Sequence, residues 1–408
     1  MESKTPHTGR EASAAVPHHP SADAPQVSGR LPRRKALQVA GAALATLGLA
    51  AAPSPTSFAA PRSRPKGEEV KSLEELYADA RAEGGRLTIY GGGDFKEMLA
   101  PVEEAWARRF PGVVMTMIVD YSKFHDVRVD NQLATDTLVP DVVHFQTLHD
   151  FPRWKQEGKL LPYKPAGFDK VHDIFKDSDG AWTAVAAYAF SYLYDTAAVG
   201  GAPPRSVRDL ADPKWKGKIA SSYPNDDDAT LYLYKLYAEK YGWPWLSRLM
   251  GQDIQFQRGT NNPGDAVRTQ QKTIAIGTAS VSALASPRTE VEWVLPTDDP
   301  FMAWGQRAAI LAGAKHTAAA KLYLNWLLST DMQAANNAFG WPVRTDVPTA
   351  PGLKPIWEYG NAHLDGFAAF MADRAEVERW RQTLTLYVGE VQGAPSPTWL
   401  GLHPGAAR

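Results

Sequence analysis

Hydrophobic and polar positions along the chain switch repeatedly between helical and strand periods. Residues 72–83 carry apolar positions at helical spacing behind Ser72, with Glu75 placed to complete a capping box and Gly84-Gly85 to stop the helix. Residues 87–90 then alternate as a strand and run into Gly91, Gly92 and Gly93. Behind these glycines Phe95, Met98, Leu99, Val102 and Trp106 recur at helical spacing as far as Phe110-Pro111-Gly112. The pattern predicts a strand, a tight turn and a helix, with Asp94 as the helix N-cap. Residues 113–119 are nearly all apolar, as in a strand buried on both faces. A helix through Val127 and Leu133 and a strand at 141–145 complete a unit whose parallel strands require right-handed crossovers.

A long apolar and aromatic run at 182–193 is predicted to cross into a second α/β unit. There the strands are expected at 219–222, 254–257, 273–277 and 291–296, and the helices at 229–240, 243–250 and 266–271. Residues 301–311 would carry the chain back to the first lobe. Apolar spacing then predicts a helix at 318–328 and another, capped by Thr330, that ends near Gly340, before a helical remainder broken by Pro and Gly. The expected fold class is α/β with two lobes. Its divisions are a leader at 1–59, a linker at 60–71, the first part of lobe 1 at 72–187, lobe 2 at 188–300, and the return to lobe 1 with the C-terminal helices at 301–408.

The first thirty residues are rich in Pro, Ser, Ala and His without a period and read as disordered, with His7, His18 and His19 inside a segment destined for removal. Arg33-Arg34-Lys35, the apolar run 39–52 and the small residues Ser57 and Ala59 predict a twin-arginine-type export signal cleaved after Ala59, and hence a periplasmic location. No later run is long and apolar enough for a membrane helix.

Composition narrows the function. With 408 residues, 44% of them hydrophobic, the chain can bury a sizeable core. The net charge of −1 divides into six Lys/Arg against three Asp/Glu in residues 1–59 and 38 against 42 beyond, so neither part supplies the basic stripe of a nucleic-acid binder. Absence of cysteine excludes disulfides, thiolate metal sites and a cysteine nucleophile. Thirteen tryptophans and fifteen tyrosines chiefly fill cores, while Tyr188 and Trp304 at the crossovers either pack there or stack on a ligand.

Ligands of open α/β sheets lie beyond the carboxyl ends of strands. In the first lobe those ends offer Gly92, Gly93, Asp94, Tyr121, Ser122, His125, Gln146 and Thr147. The glycines would let backbone N–H groups approach a ligand, and Tyr121 and His125 lie four apart, able to share a helix face. The second lobe offers Ser221, Ser222, Tyr223, Asp226, Thr260, Asn261, Thr278 and Ser280. Asp226, Asp227 and Asp228 suit the positive end of a helix better than one metal ion, because adjacent residues point apart. Asp298-Asp299-Pro300 reads as a turn, with Asp298 available to a ligand amine.

Leu87-Thr-Ile-Tyr90, Pro140-Asp141-Val-Val, Leu210-Ala-Asp-Pro-Lys-Trp-Lys-Gly-Lys-Ile219, Gly277-Thr278 and the segment from Lys315 to Trp326 resemble the periplasmic solute-binding proteins of ABC importers, nearest to the ferric-iron-binding branch. The resemblance spans residues 72–347. It implies a type II two-lobed fold hinged on two crossover strands, a small-molecule solute as ligand, an inner-membrane ABC permease as partner, a monomer, and no catalysis or cofactor. Ferric-binding members carry a tyrosine pair where this chain has Thr278-Ala279-Ser280-Val281-Ser282, and a histidine where it has glycine and Asp94. Ferric iron is hard and wants phenolate oxygens, so the expected ligand becomes a small organic anion or polar metabolite, with no metal. The alternative keeps ferric iron on Tyr121, His125, Tyr223 and Asp226. An exported enzyme is the remaining rival; the sequence lacks Gly-x-Ser-x-Gly, His-Glu-x-x-His and a dinucleotide fingerprint.

Overall fold

The computed structural model describes residues 67–279 and 291–394; the leader, its cleavage point and Ser280 lie outside the described residues. Helix α1 (Leu73–Ala82) opens on the expected capping box between Ser72 and Glu75. Strands β1 (Arg86–Gly92), β2 (Val114–Asp120) and β3 (Val142–Phe145) alternate with α2 (Ala100–Arg109) and α3 (Ser122–Ala134) and are mutually parallel in the order β2-β1-β3. Helix α4 (Asp150–Gln156) follows. The apolar run becomes the long strand β4 (Thr183–Asp195). The second unit comprises β5 (Ile219–Ser222), α5 (Asp228–Tyr241), α6 (Trp243–Met250), β6 (Gln255–Gln257), α7 (Asn262–Arg268), β7 (Ile274–Ala279) and β8 (Val291–Trp293). Strand β9 (Met302–Ile310) returns to α8 (Thr317–Leu327) and α9 (Thr330–Ala335), and the chain closes with α10 (Leu364–Ala372) and α11 (Arg374–Val388).

One sheet runs β2-β1-β3-β9-β4-β7-β5-β6, with β8 beside β4. Its two flanks are parallel trios, and β9 and β4 join them as an antiparallel pair. Each crossing strand serves two cores. Val185 and Ile310 pack with Leu87, Trp106, Phe110, Tyr323 and Trp326 in the first lobe. Tyr192 and Trp304 pack with Trp215, Ile219, Tyr234, Trp245 and Ile276 in the second. At roughly 25 cal/mol per Å² of apolar surface removed from water, these aromatic-rich cores are the main source of stability.

Several expectations are corrected. Helix α2 begins at Ala100 rather than behind the glycines, because Pro101 has no N–H and is tolerated only in a first turn. Helix α7 begins at Asn262, ahead of the expected Ala266, for the same reason at Pro263. Strand β2 is an edge strand, so its apolar sequence does not mean two buried faces, and Val114 stands 66% exposed. The last two helices pack on the second lobe, where Phe367, Phe370, Val377 and Leu384 join its core.

Candidate functional site

The carboxyl ends of β1, β2 and β3 face the starts of α5 and α7 across a cavity of about 230 Å³. The first lobe contributes Gly92, Gly93, Asp94, Tyr121, Ser122, Gln146 and Thr147, and the second contributes Asp226, Thr260 and Asn261. The structure thus brings these ten sequence candidates together. The crossing strands form the back wall with Tyr188, Phe190, Trp304 and Gln306, and Phe339 and Met371 add apolar surface.

The glycine turn does not work as an anion loop. The Gly93 N–H donates to the Asp120 carbonyl at 3.0 Å, and Gly92 is paired within the β1-β2 ladder. A Cβ at Gly92 would lie 2.1 Å from Ser122 Oγ and would force that hydroxyl to turn away. The close approach lets Ser122 Oγ accept from the Gln146 N–H at 3.1 Å, joining the ends of all three strands.

Asp94 is not the N-cap of α2, whose cap Leu99 has no side-chain bond. Its carboxylate reaches the opposite lobe, where one oxygen accepts from Thr260 N at 2.6 Å, Thr260 Oγ1 at 2.8 Å, Asn261 N at 2.8 Å and Asn261 Nδ2 at 3.1 Å. Gly259, at φ +79°, turns the chain so that these donors converge just ahead of α7. A second bridge runs from the Lys123 ammonium to the Asp226 carbonyl and carboxylate, each at 2.6 Å. Arg258 also holds Asp226, at 3.1 Å. The two bridges tie the rims of the cavity together.

The three consecutive acids diverge. Asp226 takes Lys123 and Arg258, Asp227 caps α5 by accepting from Thr230 N, and Asp228 pairs with Arg374 and Arg381. Burial, with the nearby Asp94 and Asp228 charges, raises the Asp227 carboxyl to about 6. An acid raised in the folded state destabilises that state once ionised, so its unfavourable effect grows as pH climbs from about 4 through 6. Asparagine caps a helix as well as aspartate does. Asp227→Asn is therefore expected to match the parent chain near pH 4 and exceed it by about 1–2 kcal/mol above pH 6, read from urea midpoints across that range.

Six candidates stay outside the cavity, among them Ser221, which is fully buried, donates to the Ser222 carbonyl and accepts from the Tyr234 hydroxyl. His125 turns into the core, stacked between Tyr90 and Phe145, with its ring bonded to the Ile118 carbonyl and Arg128. Burial and Arg128 depress it to about 3, so it is a neutral core histidine rather than a partner of Tyr121. Ser222 is buried, bonded to Thr230 and the Gly277 carbonyl, and Tyr223 stacks on Phe256. Thr278 is fully buried opposite Ser191 in the β4-β7 pair. Asp298 is exposed on a turn, whereas Asp299 is buried and accepts from Ser206, Val207 and Tyr241. The four-residue iron set is consequently not assembled, and burial with the Asp94 and Asp226 charges pushes the Tyr121 phenol far above the ordinary tyrosine range.

Sequence reasoning missed Lys123, His144, Phe190 and Gln306. Lys123 directly follows Tyr121-Ser122 and was within reach of the same argument. His144 lies inside a strand, where only the sheet order shows that it faces the cavity. Burial lowers it to about 4, keeping the imidazole neutral. Its Nε2, and the hydroxyl of Thr147, are buried without a hydrogen-bond partner. Such orphans inside a cavity are what a bound solute would satisfy.

Residues 139–363 match the family described as bacterial extracellular solute-binding protein. An "Fe(3+)-binding periplasmic protein" of Serratia marcescens is 24% identical over 219 residues, which cover 50% of this chain and 64% of that relative. Iron-bound HitA of Pseudomonas aeruginosa is 18% identical with a TM-score of 0.60, over 73% of this chain and 99% of that one. The periplasmic binding protein AfuA of Actinobacillus pleuropneumoniae, with fructose-6-phosphate bound, is 18% identical with a TM-score of 0.61, over 75% and 99%. These likenesses show a shared two-lobed periplasmic-binding-protein fold. Among the described residues no helix is long and apolar enough to cross a membrane.

Proposed function

The chain belongs to the bacterial extracellular solute-binding protein family, and on that premise we propose that it is the receptor of an ABC importer, trapping a small organic solute between its lobes for an inner-membrane permease. The observation that carries this reading is the cavity itself: two unpaired polar groups, His144 Nε2 and Thr147 Oγ1, beside an aromatic wall and beneath two interlobe bridges. A volume of about 230 Å³ lies below the roughly 300–1,000 Å³ of pockets for drug-sized ligands, which favours a small metabolite. Ser122 and Lys123 line the cavity as the first residues of α3, and the unpaired N–H groups of a helix start favour an acidic head on the solute. Tyr188, Phe190 and Trp304 would take its apolar body. The reading is a small organic anion or polar metabolite, bound by one chain acting as a monomer, without catalysis or cofactor. The arginine pair at 33–34 supports delivery to the periplasm as folded cargo.

Ferric iron is the second reading, favoured by the name of the Serratia relative. It must work without His125 and Tyr223, which the fold removes from the cavity.

The test is small-angle scattering and thermal melting against pools of organic acids, sugar phosphates and amino compounds. One pool should reduce the radius of gyration and raise the melting midpoint, and Thr147→Val should weaken that solute about tenfold, the effect of one lost hydrogen bond. No response to any pool would count against the receptor reading.

A further inference from the structure

Outside the cavity, one cluster of titratable side chains has no explanation in the fold. Asp126, on the second turn of α3, meets His149 and Asp150 at the start of α4, and one donor atom from each lies within 4.8 Å of the others. Asp150 is 2% exposed. Its Oδ1 accepts from Arg153 at 2.8 Å, but its Oδ2 is buried with no hydrogen-bond partner, and so is His149 Nδ1. Asp126 accepts only from the adjacent Val127 N–H and has no cationic partner. The cations around the cluster are committed elsewhere: Arg153 also holds Asp130, and Arg374 and Arg381 hold Asp228. One buried and one half-buried carboxylate therefore face each other beside an imidazole, with one unused oxygen and one unused nitrogen.

We propose that Asp126, His149 and Asp150 form a binding site for one divalent transition-metal cation of the zinc type, separate from the solute cavity. One imidazole nitrogen and two carboxylate oxygens are the donors that borderline cations take, and three protein ligands leave a fourth position for water. Zinc holds such donors at about 2.0–2.2 Å, so the three would draw inward by rotation about their own side-chain bonds. Asp126 follows Ser122 and Lys123 by about one helical turn, so the ion would clamp α3 to α4 directly behind the cavity rim.

Equilibrium dialysis of the full chain against zinc chloride, with bound metal counted by mass spectrometry, tests it. One zinc per chain is expected. Loss of an outer-shell partner already weakens metal sites about 10–100-fold, so His149→Gln and Asp126→Asn should each weaken zinc at least about tenfold. Asp126→Asn keeps the size of a half-buried side chain that has no cationic partner and should fold at least as well as the parent, which its circular dichroism melt will report. Absence of zinc binding at micromolar metal would overturn the proposal. Equal retention of zinc by both variants would also overturn it, placing the ion in the cavity or on His7, His18 and His19.

Discussion

Asp141→Ala is expected to destabilise the protein by about 3–5 kcal/mol, the cost of removing one partner from a buried ionic hydrogen-bond network. Asp141 is 1% exposed. Its Oδ1 accepts from the N–H groups of Lys315 and His316, at 2.8 and 2.9 Å, and its Oδ2 accepts from Thr88 N at 2.9 Å and contacts His316 Nδ1 at 3.0 Å. One side chain thus fastens β1, the start of β3 and the approach to α8, segments more than 170 residues apart. Alanine would leave three backbone donors unsatisfied in the first lobe. For a chain of this size a loss of 3–5 kcal/mol corresponds to a fall in melting midpoint of roughly 5–15 °C, readable by calorimetry. A fall under about 2 °C would show that water replaces the carboxylate and that this stitch is unimportant.

Asp94→Ala is expected to leave the melting midpoint nearly unchanged and yet weaken solute binding about 100-fold. Its four hydrogen bonds exist only while the lobes are together. In the open form both the carboxylate and the Thr260-Asn261 donors are hydrated, so what is lost is the net preference for closure. Net values of about 0.5–1.5 kcal/mol per bond, taken in the lower half of that range because the four donors share one oxygen, give about 3 kcal/mol in total. A population shift of that size lowers apparent affinity by about two powers of ten. Titration calorimetry would give the affinity and scattering the radius, which should match the solute-free parent even in the variant with solute added below its weakened dissociation constant. Unchanged affinity would mean that the lobes are held by Lys123 and Asp226 alone.

The lobed α/β plan was legible because its signals are local. Alternating strands, apolar helix stripes and the Ser72-Glu75 box each need only a dozen residues, and the crossing strands stood out as apolar runs too long for an ordinary strand. Edge position was not legible: β2 is apolar although half of it faces solvent, and only the strand order shows it. Nor was the partner of Asp94, because a carboxylate behind a glycine turn suits the N-cap of its own helix, whereas its donors begin 166 residues later, just ahead of α7 and across the cavity. His125 shows the same limit in another form. Spacing placed it one turn from Tyr121, but helix phase against Tyr90 and Phe145 turned it inward. The C-terminal segment was legible only as a helical remainder, and nothing local in it showed that its helices pack on the second lobe.

Native mass spectrometry of the chain isolated from its native cells decides whether the cavity between the lobes holds a small organic solute or a bare ferric ion. The expected result is one added organic mass per chain, released by mild activation and lost in Asp94→Ala. An added mass equal to iron alone, retained in Asp94→Ala, would contradict the account.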